Sequence, residues 1–443
     1  MLENLLVVKN FYWAGESYAP YVDPISPMDT LRDLRGQFSF AFQVPEGKIL
    51  LVRDRLGINK LFFAIHKSGK VVVANYFVQL IEKGVPIEAI YSVPSGHFLL
   101  IEAGRRTISL RRYAEPKWKP ALENYPLPEI ARELRHHLES WFSKLAEQFS
   151  SKRICLCLSG GLDSGLIAAL ARKYFPDVNS YTYGYVHEGQ RKSEDADYAQ
   201  RLAQHLGIPT RFVAATSSDI LDSLENALFY GQDWRDFNVH CAIANEILGR
   251  AIERDVRESG SDKQPLLLTG DLMNEFLADY TPVHYAGQEF YSLPKLEFGA
   301  LRSVLVRGLD SGDREIGIFN HHGLDIIQPY GLLMEQYLRL PNALVREESS
   351  KQNLVRAVAG DLLPPFIFER KKVRAQIGNS KEPSGILPVL LEAGRNSAWL
   401  KKTFCERFAI KDSTFLNRFI LMGLYRFVSD FPDERNLQCG FYT

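Results

Sequence analysis

The pattern of apolar and polar positions divides the chain into two parts. Up to about residue 113, short apolar runs alternate with glycine and proline, which is typical of antiparallel strands joined by tight turns. The strongest of these runs are residues 37–44, 48–53, 71–74 and 97–101. We therefore predict a β-rich domain over residues 1–115, followed by a proline-rich linker at residues 116–128.

Beyond the linker, the apolar spacing changes to that of a helix and then to alternating strands and helices. The helix is predicted over residues 129–149, with an inner face of Leu134, Leu138, Phe142 and Leu145. Strands are then predicted at 154–158, 180–186, 211–214 and 265–269, and helices at 164–174 and 195–206. Strands that alternate with helices predict an α/β fold with a parallel, doubly wound sheet.

The second domain is predicted to span residues 129–443 and to be mainly helical after Tyr330. An apolar helix face in this last part is formed by Phe415, Phe419, Leu421, Leu424 and Phe427.

Composition excludes several classes of protein. Lys plus Arg and Asp plus Glu both number 53, so the formal net charge is zero and we expect neither a nucleic-acid nor a membrane partner. The five cysteines are an odd and sparse set, which favours a reducing compartment over a disulfide framework. Without a long apolar run or a basic leader, the sequence predicts a cytoplasmic protein. The oligomeric state stays open, a homodimer included.

A glycine-rich hexapeptide carries the clearest chemistry. Ser159-Gly160-Gly161-Leu162-Asp163-Ser164 lies between a strand ending at Leu158 and a helix. A turn at that position exposes backbone N–H groups beside a helix N-terminus, which suits phosphate or pyrophosphate. Asp163 would then bind the accompanying Mg²⁺. The hexapeptide lacks both the Gly-Lys-Ser/Thr ending of Walker A and the Gly-x-Gly-x-x-Gly of dinucleotide-binding folds.

The hexapeptide resembles the pyrophosphate-binding loop of the ATP pyrophosphatases, which cleave ATP between its α and β phosphates and adenylate an oxygen of the substrate. Further segments resemble those of asparagine synthetases in order and spacing: residues 270–280, 328–330, 351–356, 363–364 and 370–378. The chain therefore resembles an asparagine synthetase-like group that includes β-lactam synthetase and lasso-peptide cyclase. Residues 34–42, 53–57, 73–75 and 94–97 resemble the second half of the family's glutaminase domain.

The resemblance implies a set of site residues. Those expected to bind ATP and its pyrophosphate are Leu158, Ser159, Gly160, Gly161, Leu162, Asp163, Ser164, Tyr183, Gly184 and Gly270. Asp163 and Asn274 are the expected Mg²⁺ ligands, although Asn274 replaces an aspartate of the motif and its amide is the weaker ligand.

Three residues are expected to be catalytic, Lys372, Asp271 and Glu275. The resemblance implies that Lys372 contacts the α-phosphate and the developing oxyanion. Asp271 occupies the position of a glutamate in asparagine synthetases and of a catalytic tyrosine in β-lactam synthetase, so we interpret it as a base or orienting group. Glu275 is a second carboxylate one helical turn on. Asp310 is a weaker candidate for an acidic partner.

Two departures from the family bear on the reaction. The glutaminase nucleophile would be a terminal cysteine, whereas Met1 is followed by Leu2, so we expect a structural remnant that does not hydrolyse glutamine. The family's Pro-Phe-Leu-Asp segment reads Pro-Tyr-Gly-Leu at residues 329–332, which removes an acid near the acceptor pocket.

The resulting prediction is an ATP-dependent, AMP-forming amide ligase of natural-product biosynthesis. It would join a small-molecule or peptide carboxylate to an amine. Alternatives that stay open are an ammonia-dependent asparagine synthetase, a tRNA-modifying pyrophosphatase and a nucleotide-binding scaffold with weakened catalysis, the last of which Asn274 favours.

Overall fold

The computed structural model describes residues 2–5, 11–13, 26–102, 107–191, 193–278, 280, 282–293, 295–307, 313–345, 348–370, 373–378, 383–411, 436–438 and 441–442. Two compact units are distinguished. The first comprises Met1–Lys117, Val306–Asp313 and Lys402–Thr443, and the second comprises Trp118–Leu305 and Arg314–Lys401. The predicted domain boundaries, 1–115 and 129–443 with a linker between them, stay a prediction. The apolar face predicted over residues 415–427 lies outside the described residues.

Strands predominate up to residue 112 of the described chain, and a mixture of helices and strands follows. The strands are β1 (Leu2–Leu5), β2 (Phe11–Trp13), β3 (Arg35–Gln37), β4 (Ser39–Val44), β5 (Lys48–Arg53), β6 (Phe62–His66), β7 (Val71–Ala74), β8 (Tyr91–Ser92), β9 (His97–Glu102), β10 (Thr107–Arg112), β11 (Arg153–Cys157), β12 (Val178–His187), β13 (Gln190–Arg191), β14 (Thr210–Ala215), β15 (Pro265–Leu268), β16 (Val283–Tyr285), β17 (Gln288–Phe290), β18 (Asp325–Ile327), β19 (Asn436–Gln438) and β20 (Phe441–Tyr442). The helices are α1 (Pro27–Leu31), α2 (Phe77–Glu82), α3 (Leu127–Gln148), α4 (Leu162–Tyr174), α5 (Glu194–Leu206), α6 (Ser217–Asp222), α7 (Leu224–Tyr230), α8 (Asp236–Glu258), α9 (Met273–Leu277), α10 (Phe298–Arg307), α11 (Ile316–His321), α12 (Met334–Tyr337), α13 (Glu348–Ala359), α14 (Pro365–Phe368), α15 (Ile386–Glu392) and α16 (Ser397–Arg407).

The first unit contains two five-stranded sheets. One has the order β1-β7-β6-β20 with β8 also on β6, and the other has the order β19-β10-β9-β5-β4. Alternate apolar residues of both sheets form a common core, as expected for two packed sheets. Its buried members are Ile49, Leu51, Leu61, Phe63, Ile65, Val71, Val73, Tyr91, Val93, Leu99, Ile101, Ile108 and Leu110. The predicted β-rich architecture is confirmed.

The strand predicted over residues 37–44 is interrupted at Phe38. The backbone of Phe38 leaves the strand ladder because its N–H donates to the Asp54 carboxylate over 3.3 Å and its carbonyl accepts the Asp54 N–H over 3.0 Å. Asp54 is fully buried and also accepts four backbone N–H groups from the turn that follows it. The buried carboxylate therefore replaces the missing ladder bonds and fixes the turn after β5.

The main sheet of the second unit has the order β13-β12-β11-β15-β18, and β14 also pairs with β12. All of its pairings are parallel except that of the short β13. This confirms the predicted parallel sheet, to which β18 adds a short strand that the apolar pattern did not reveal. Within the described residues, no helix is both long enough and apolar enough to cross a membrane.

Register within this sheet sets the position of the functional loops. Leu156 of β11 lies opposite Leu268 of β15, and Cys157 lies opposite Tyr181 of β12. The segments that leave these strands at their carboxyl ends therefore emerge side by side, which is where ligands bind in open α/β sheets.

Candidate functional site

A cavity of about 300 Å³ opens at the carboxyl ends of the parallel strands. Most of the residues predicted to bind nucleotide, metal or substrate line it. They are Leu158, Ser159, Gly161, Leu162, Asp163, Ser164, Tyr183, Gly270, Asp271 and Asn274. Gly160, Gly184 and Glu275 are not among the lining residues, and Lys372 and Asp310 lie outside the described residues.

The loop after β11 leads directly into α4. The helix begins at Leu162, two residues earlier than predicted, so that Asp163 lies in its first turn. The hydroxyl groups of Ser159 and Ser164 are 2.9 Å apart, and the Ser159 N–H donates to the Ser164 hydroxyl over 3.2 Å. The first-turn amides of a helix have no carbonyl partner within the helix, so this end of α4 suits an anion.

Two glycines allow this close arrangement. Gly160 has a φ of +68°, and a Cβ there would lie 2.5 Å from the Ala199 backbone nitrogen on α5. A Cβ on Gly270 would lie 2.6 Å from the backbone nitrogen of Ser164. The absence of a side chain on Gly160 thus lets the loop pack closely on α5. The absence of a side chain on Gly270 lets the end of β15 pack against the start of α4.

Asp271 is a cavity-lining carboxylate with a strongly altered acidity. Burial raises its pKa to about 7, assisted by the nearby Glu315 carboxylate and opposed by the Arg314 guanidinium. An acid with this pKa exchanges a proton readily at neutral pH, which suits a general base. The role of Asp271 as a base or orienting group stays a prediction, with which a pKa of about 7 is compatible.

Glu275 lies in a buried network behind Asp271. It is 6% exposed, and it accepts hydrogen bonds from the Tyr280 hydroxyl and from Arg314 Nη2, the latter over 3.0 Å. Arg314 also donates to Glu315 and, over 2.9 Å, to the Asn238 amide oxygen. Glu275 therefore holds Arg314 and does not line the cavity.

Arg314 and Glu315 line the cavity but were not predicted from the sequence. They precede α11 in a polar stretch that carries none of the motifs recognised above. The sequence offered Asp310 as an acidic partner, whereas Glu315 and, to a smaller extent, Glu275 are described acids that raise the pKa of Asp271.

The strand β12 contributes Thr182 and Tyr183 to the cavity wall. Within the described residues, neither of their buried hydroxyl groups has a hydrogen-bond partner. Gly184 has a different surrounding, since a Cβ there would lie 2.3 Å from the Phe212 ring and 3.4 Å from Ala196. It allows β12 to pack closely with β14 and α5.

Asp163 and Asn274 line the same cavity and supply one carboxylate and one amide oxygen donor. Among the described residues, no group of three or more His, Cys, Asp or Glu is arranged to hold a metal ion. Mg²⁺ is often held by one or two protein oxygens and completes its shell with water and phosphate oxygens. The donor set therefore fits an Mg²⁺ ion that arrives with a nucleotide.

The wall away from the loop is partly aromatic and partly cationic. Arg374 lies over the Phe237 ring, 5.7 Å from its centroid, and both line the cavity. Gln376 donates to the Cys241 sulfur over 2.7 Å, and burial raises the pKa of Cys241 to about 12. The thiol stays protonated at neutral pH, so it does not act as a nucleophile.

Parts of this chain are similar in sequence to known proteins. Residues 144–309 match the model of the asparagine synthase family. Asparagine synthetase B of Escherichia coli strain K12 is 26% identical over 58% of this chain and 45% of its own length. Human asparagine synthetase is 22% identical over 77% of this chain and 63% of its own length. The chain thus covers less than two thirds of the length of these glutamine-hydrolysing relatives.

Among solved structures, the NMN synthetase of Francisella tularensis is similar with a TM-score of 0.30 and 15% identity, covering 68% of this chain and 93% of that chain. A similarity of that size carries no argument about fold or function. The matched family model includes the loop after β11 and the Gly270–Glu275 segment, which the fold brings together at one edge of the sheet. Residues 144–309 of this chain are therefore similar to the asparagine synthase family.

Proposed function

We propose that this protein is an ATP-dependent ligase that adenylates a carboxylate, releases pyrophosphate, and joins the activated acyl group to an amine. One observation carries the proposal: the loop of residues 159–164 and the carboxyl of Asp271 line the same cavity. The loop suits the pyrophosphate part of ATP, and Asp271 suits a group that removes a proton from an attacking amine.

Each residue has a definite role in this proposal. The first-turn amides of α4 and the Ser159 hydroxyl bind pyrophosphate oxygens, and Asp163 with Asn274 hold Mg²⁺. When bound, Mg²⁺ neutralises charge on the phosphates. Asp271 accepts the amine proton as the new C–N bond forms and the bond from the acyl carbon to AMP breaks.

The carboxylic acid that is adenylated is proposed to differ from aspartate. At the position of the family's Pro-Phe-Leu-Asp segment, Leu332 stands where the motif has an acid, and Tyr330 is completely buried. The cavity wall formed by Phe237, Cys241 and Arg374 offers an apolar surface beside a cation. These features favour a larger carboxylic acid of natural-product biosynthesis.

Independence from glutamine belongs to the same proposal. Residues 1–117 contain no cysteine, and a glutaminase of this family needs a cysteine nucleophile. We therefore propose an amine other than glutamine-derived ammonia as the nitrogen source. Glutamate released in step with product would contradict this part of the proposal and leave the adenylation step untouched.

Exchange of labelled pyrophosphate into ATP tests adenylation directly. The purified chain would be assayed with Mg²⁺ and a panel of small-molecule and peptide carboxylic acids, with aspartate as the reference. We expect exchange with an acid other than aspartate, and its loss by orders of magnitude in Asp163→Asn with the fold intact. Nucleotide binding without exchange for any acid would instead support a scaffold role.

Two adjacent lysines provide a matched test of the catalytic cation. If Lys372 stabilises charge that develops in the transition state, Lys372→Met lowers turnover by roughly 10²–10³-fold with a modest rise in the KM for ATP. Lys371→Met is the control and is expected to be nearly silent. Equal and small effects at both positions would remove Lys372 from the mechanism.

A further inference from the structure

Arg370 is a buried cation at the back of the loop, outside the set of residues predicted to act on ATP. Its side chain is 6% exposed, and it lines the cavity. Nη1 donates to the carbonyl oxygen of Ser159 over 3.2 Å, and Nη2 donates to the carboxylate of Asp195 on α5. Burial lowers its pKa to about 10, so the guanidinium remains charged at neutral pH.

The carbonyl oxygen of Ser159 would weaken anion binding if it faced the bound phosphate. A loop binds phosphate well only when its N–H groups face the anion and its carbonyl oxygens face away, because a carbonyl oxygen repels phosphate oxygens. A donor attached to this carbonyl fixes the peptide plane between Ser159 and Gly160. The N–H of Gly160 belongs to that same peptide plane and therefore takes the opposite direction.

The support for Arg370 comes from α5. Asp195 is 4% exposed and lies in the first turn of this helix, and the Arg370 guanidinium also lies over the Tyr198 ring, 4.8 Å from its centroid. The loop itself packs on this helix, since a Cβ on Gly160 would lie 2.9 Å from the Asp195 carbonyl oxygen. Guanidinium and loop are thus held by the same helical turn.

A further polar atom of Arg370, the side-chain Nε, is a donor that a ligand would satisfy. Within the described residues, its buried Nε–H has no hydrogen-bond partner. An unpartnered donor on a charged group is costly unless a ligand or water accepts from it.

We propose that Arg370 is a positioning residue of the pyrophosphate loop: held by Asp195, it binds the Ser159 carbonyl so that the loop presents N–H groups to the phosphates. The inference rests on the proposed function in that the anion is the pyrophosphate part of a nucleotide. It assigns to Arg370 and Asp195 a role in phosphate affinity that is separate from recognition of the nucleoside.

Equilibrium binding tests this without turnover. Calorimetric titration would use α,β-methylene-ATP with Mg²⁺, inorganic pyrophosphate with Mg²⁺, and adenosine, against the wild type, Arg370→Lys and Asp195→Asn. Because a hydrogen bond to a charged group is involved, we expect both variants to bind the two phosphate ligands about 10- to 100-fold more weakly. Adenosine affinity should stay unchanged, which a general structural defect would not produce.

The control is Arg201→Lys, an exposed arginine on the same helix whose guanidinium lies over the Phe366 ring. It should bind all three ligands as the wild type does. Arg370→Ala adds a rescue experiment, in which millimolar guanidinium restores phosphate affinity and methylammonium does not. If Arg370→Ala fails to fold, Arg370→Lys and Asp195→Asn still test the proposed role of Arg370.

The outcomes separate the two proposals. Unchanged phosphate affinity in both variants, or an equal loss of adenosine affinity, would overturn the role of Arg370. Absence of nucleotide and pyrophosphate binding in the wild type would instead overturn the proposed function.

Discussion

The hydroxyl of Tyr330 donates to the backbone carbonyl oxygen of Asp163 over 2.8 Å. Tyr330 follows the outermost strand of the parallel sheet, and Asp163 lies in the first turn of α4. The bond therefore links the segment after β18 to the helix end that forms the proposed phosphate site. The resembled motif has phenylalanine at this position, which lacks the donor.

Replacement of Tyr330 by phenylalanine should cost about 1 kcal/mol of unfolding free energy, because one buried hydrogen bond is lost while the ring stays. Guanidinium chloride unfolding measures the change. Tyr183→Phe is the matched control, since the buried Tyr183 hydroxyl has no partner within the described residues and its removal should be neutral or stabilising. Equal losses in the two variants would assign no stabilisation to the Tyr330 bond.

Asp271→Asn is expected to stabilise the protein while it abolishes the proposed ligase activity. The folded-state pKa of about 7 lies above the usual 3.8, so the ionised carboxyl is disfavoured in the fold and stability falls as pH rises between these values. The gain from the amide should be larger at pH 8 than at pH 5, by on the order of 2 kcal/mol. Thermal or denaturant unfolding at both pH values decides, and a pH-independent gain would contradict the raised pKa.

A second pH dependence is expected at His322. Its ring contacts Glu246 over 2.9 Å and Glu253 over 2.8 Å, with Arg250 and His321 nearby. Burial lowers the pKa of His322, but the bonds to both carboxylates outweigh burial and raise it.

The contribution of protonated His322 is complete below its unfolded pKa of about 6.5 and is lost as pH rises through the higher folded value. Unfolding free energy should therefore fall between pH 6 and pH 9 more steeply in the wild type than in His322→Gln. Parallel curves for the two proteins would show that this contact does not titrate in that range.

Gly270→Ala should weaken nucleotide binding and destabilise the fold, because the new methyl group would lie 2.6 Å from the Ser164 nitrogen and 2.8 Å from its Cα. The backbone atoms there cannot rotate away, so the end of β15 must shift from α4. Gly299→Ala in α10 is the control, since within the described residues its added Cβ meets only the Trp118 ring, at 3.6 Å. The control should gain about 0.5–1 kcal/mol.

Regular periodicity made much of the fold predictable. The predicted strands at 48–53 and 71–74 match β5 and β7, and the helix predicted over 195–206 ends at Gly207, which has a φ of +63°. Leu134, Leu138, Phe142 and Leu145 are all buried on α3. These elements follow from local propensity and burial, which the sequence expresses directly.

Elements fixed by distant partners were not predictable in this way. Phe38 interrupts a strand because of the buried Asp54, which a run of aromatic residues does not reveal. The strands β18, β19 and β20 have only two or three residues each, too few for a period to appear.

Residues of the candidate site likewise differ in whether the sequence alone could predict them. The loop of residues 159–164 and Asp271 were predicted because they form contiguous motifs after strands. Glu315 has no local signal beyond its charge, and the resembled segment that includes Arg370 does not reveal the contacts of Arg370 with Ser159 and Asp195. The position of Glu275 behind the cavity depends on Arg314, whose bonds exist only in the folded protein.

The last two strands have a consequence for how the protein is made. β19 pairs with β10, and β20 pairs with β6, so strands formed by residues 62–66 and 107–112 receive partners from more than 300 residues further along the chain. During synthesis on the ribosome, those pairings must wait until residues 436–442 have emerged. Unpaired strand edges are prone to aggregate, so yield in a cell should depend on chaperones that shield the first sheets during translation.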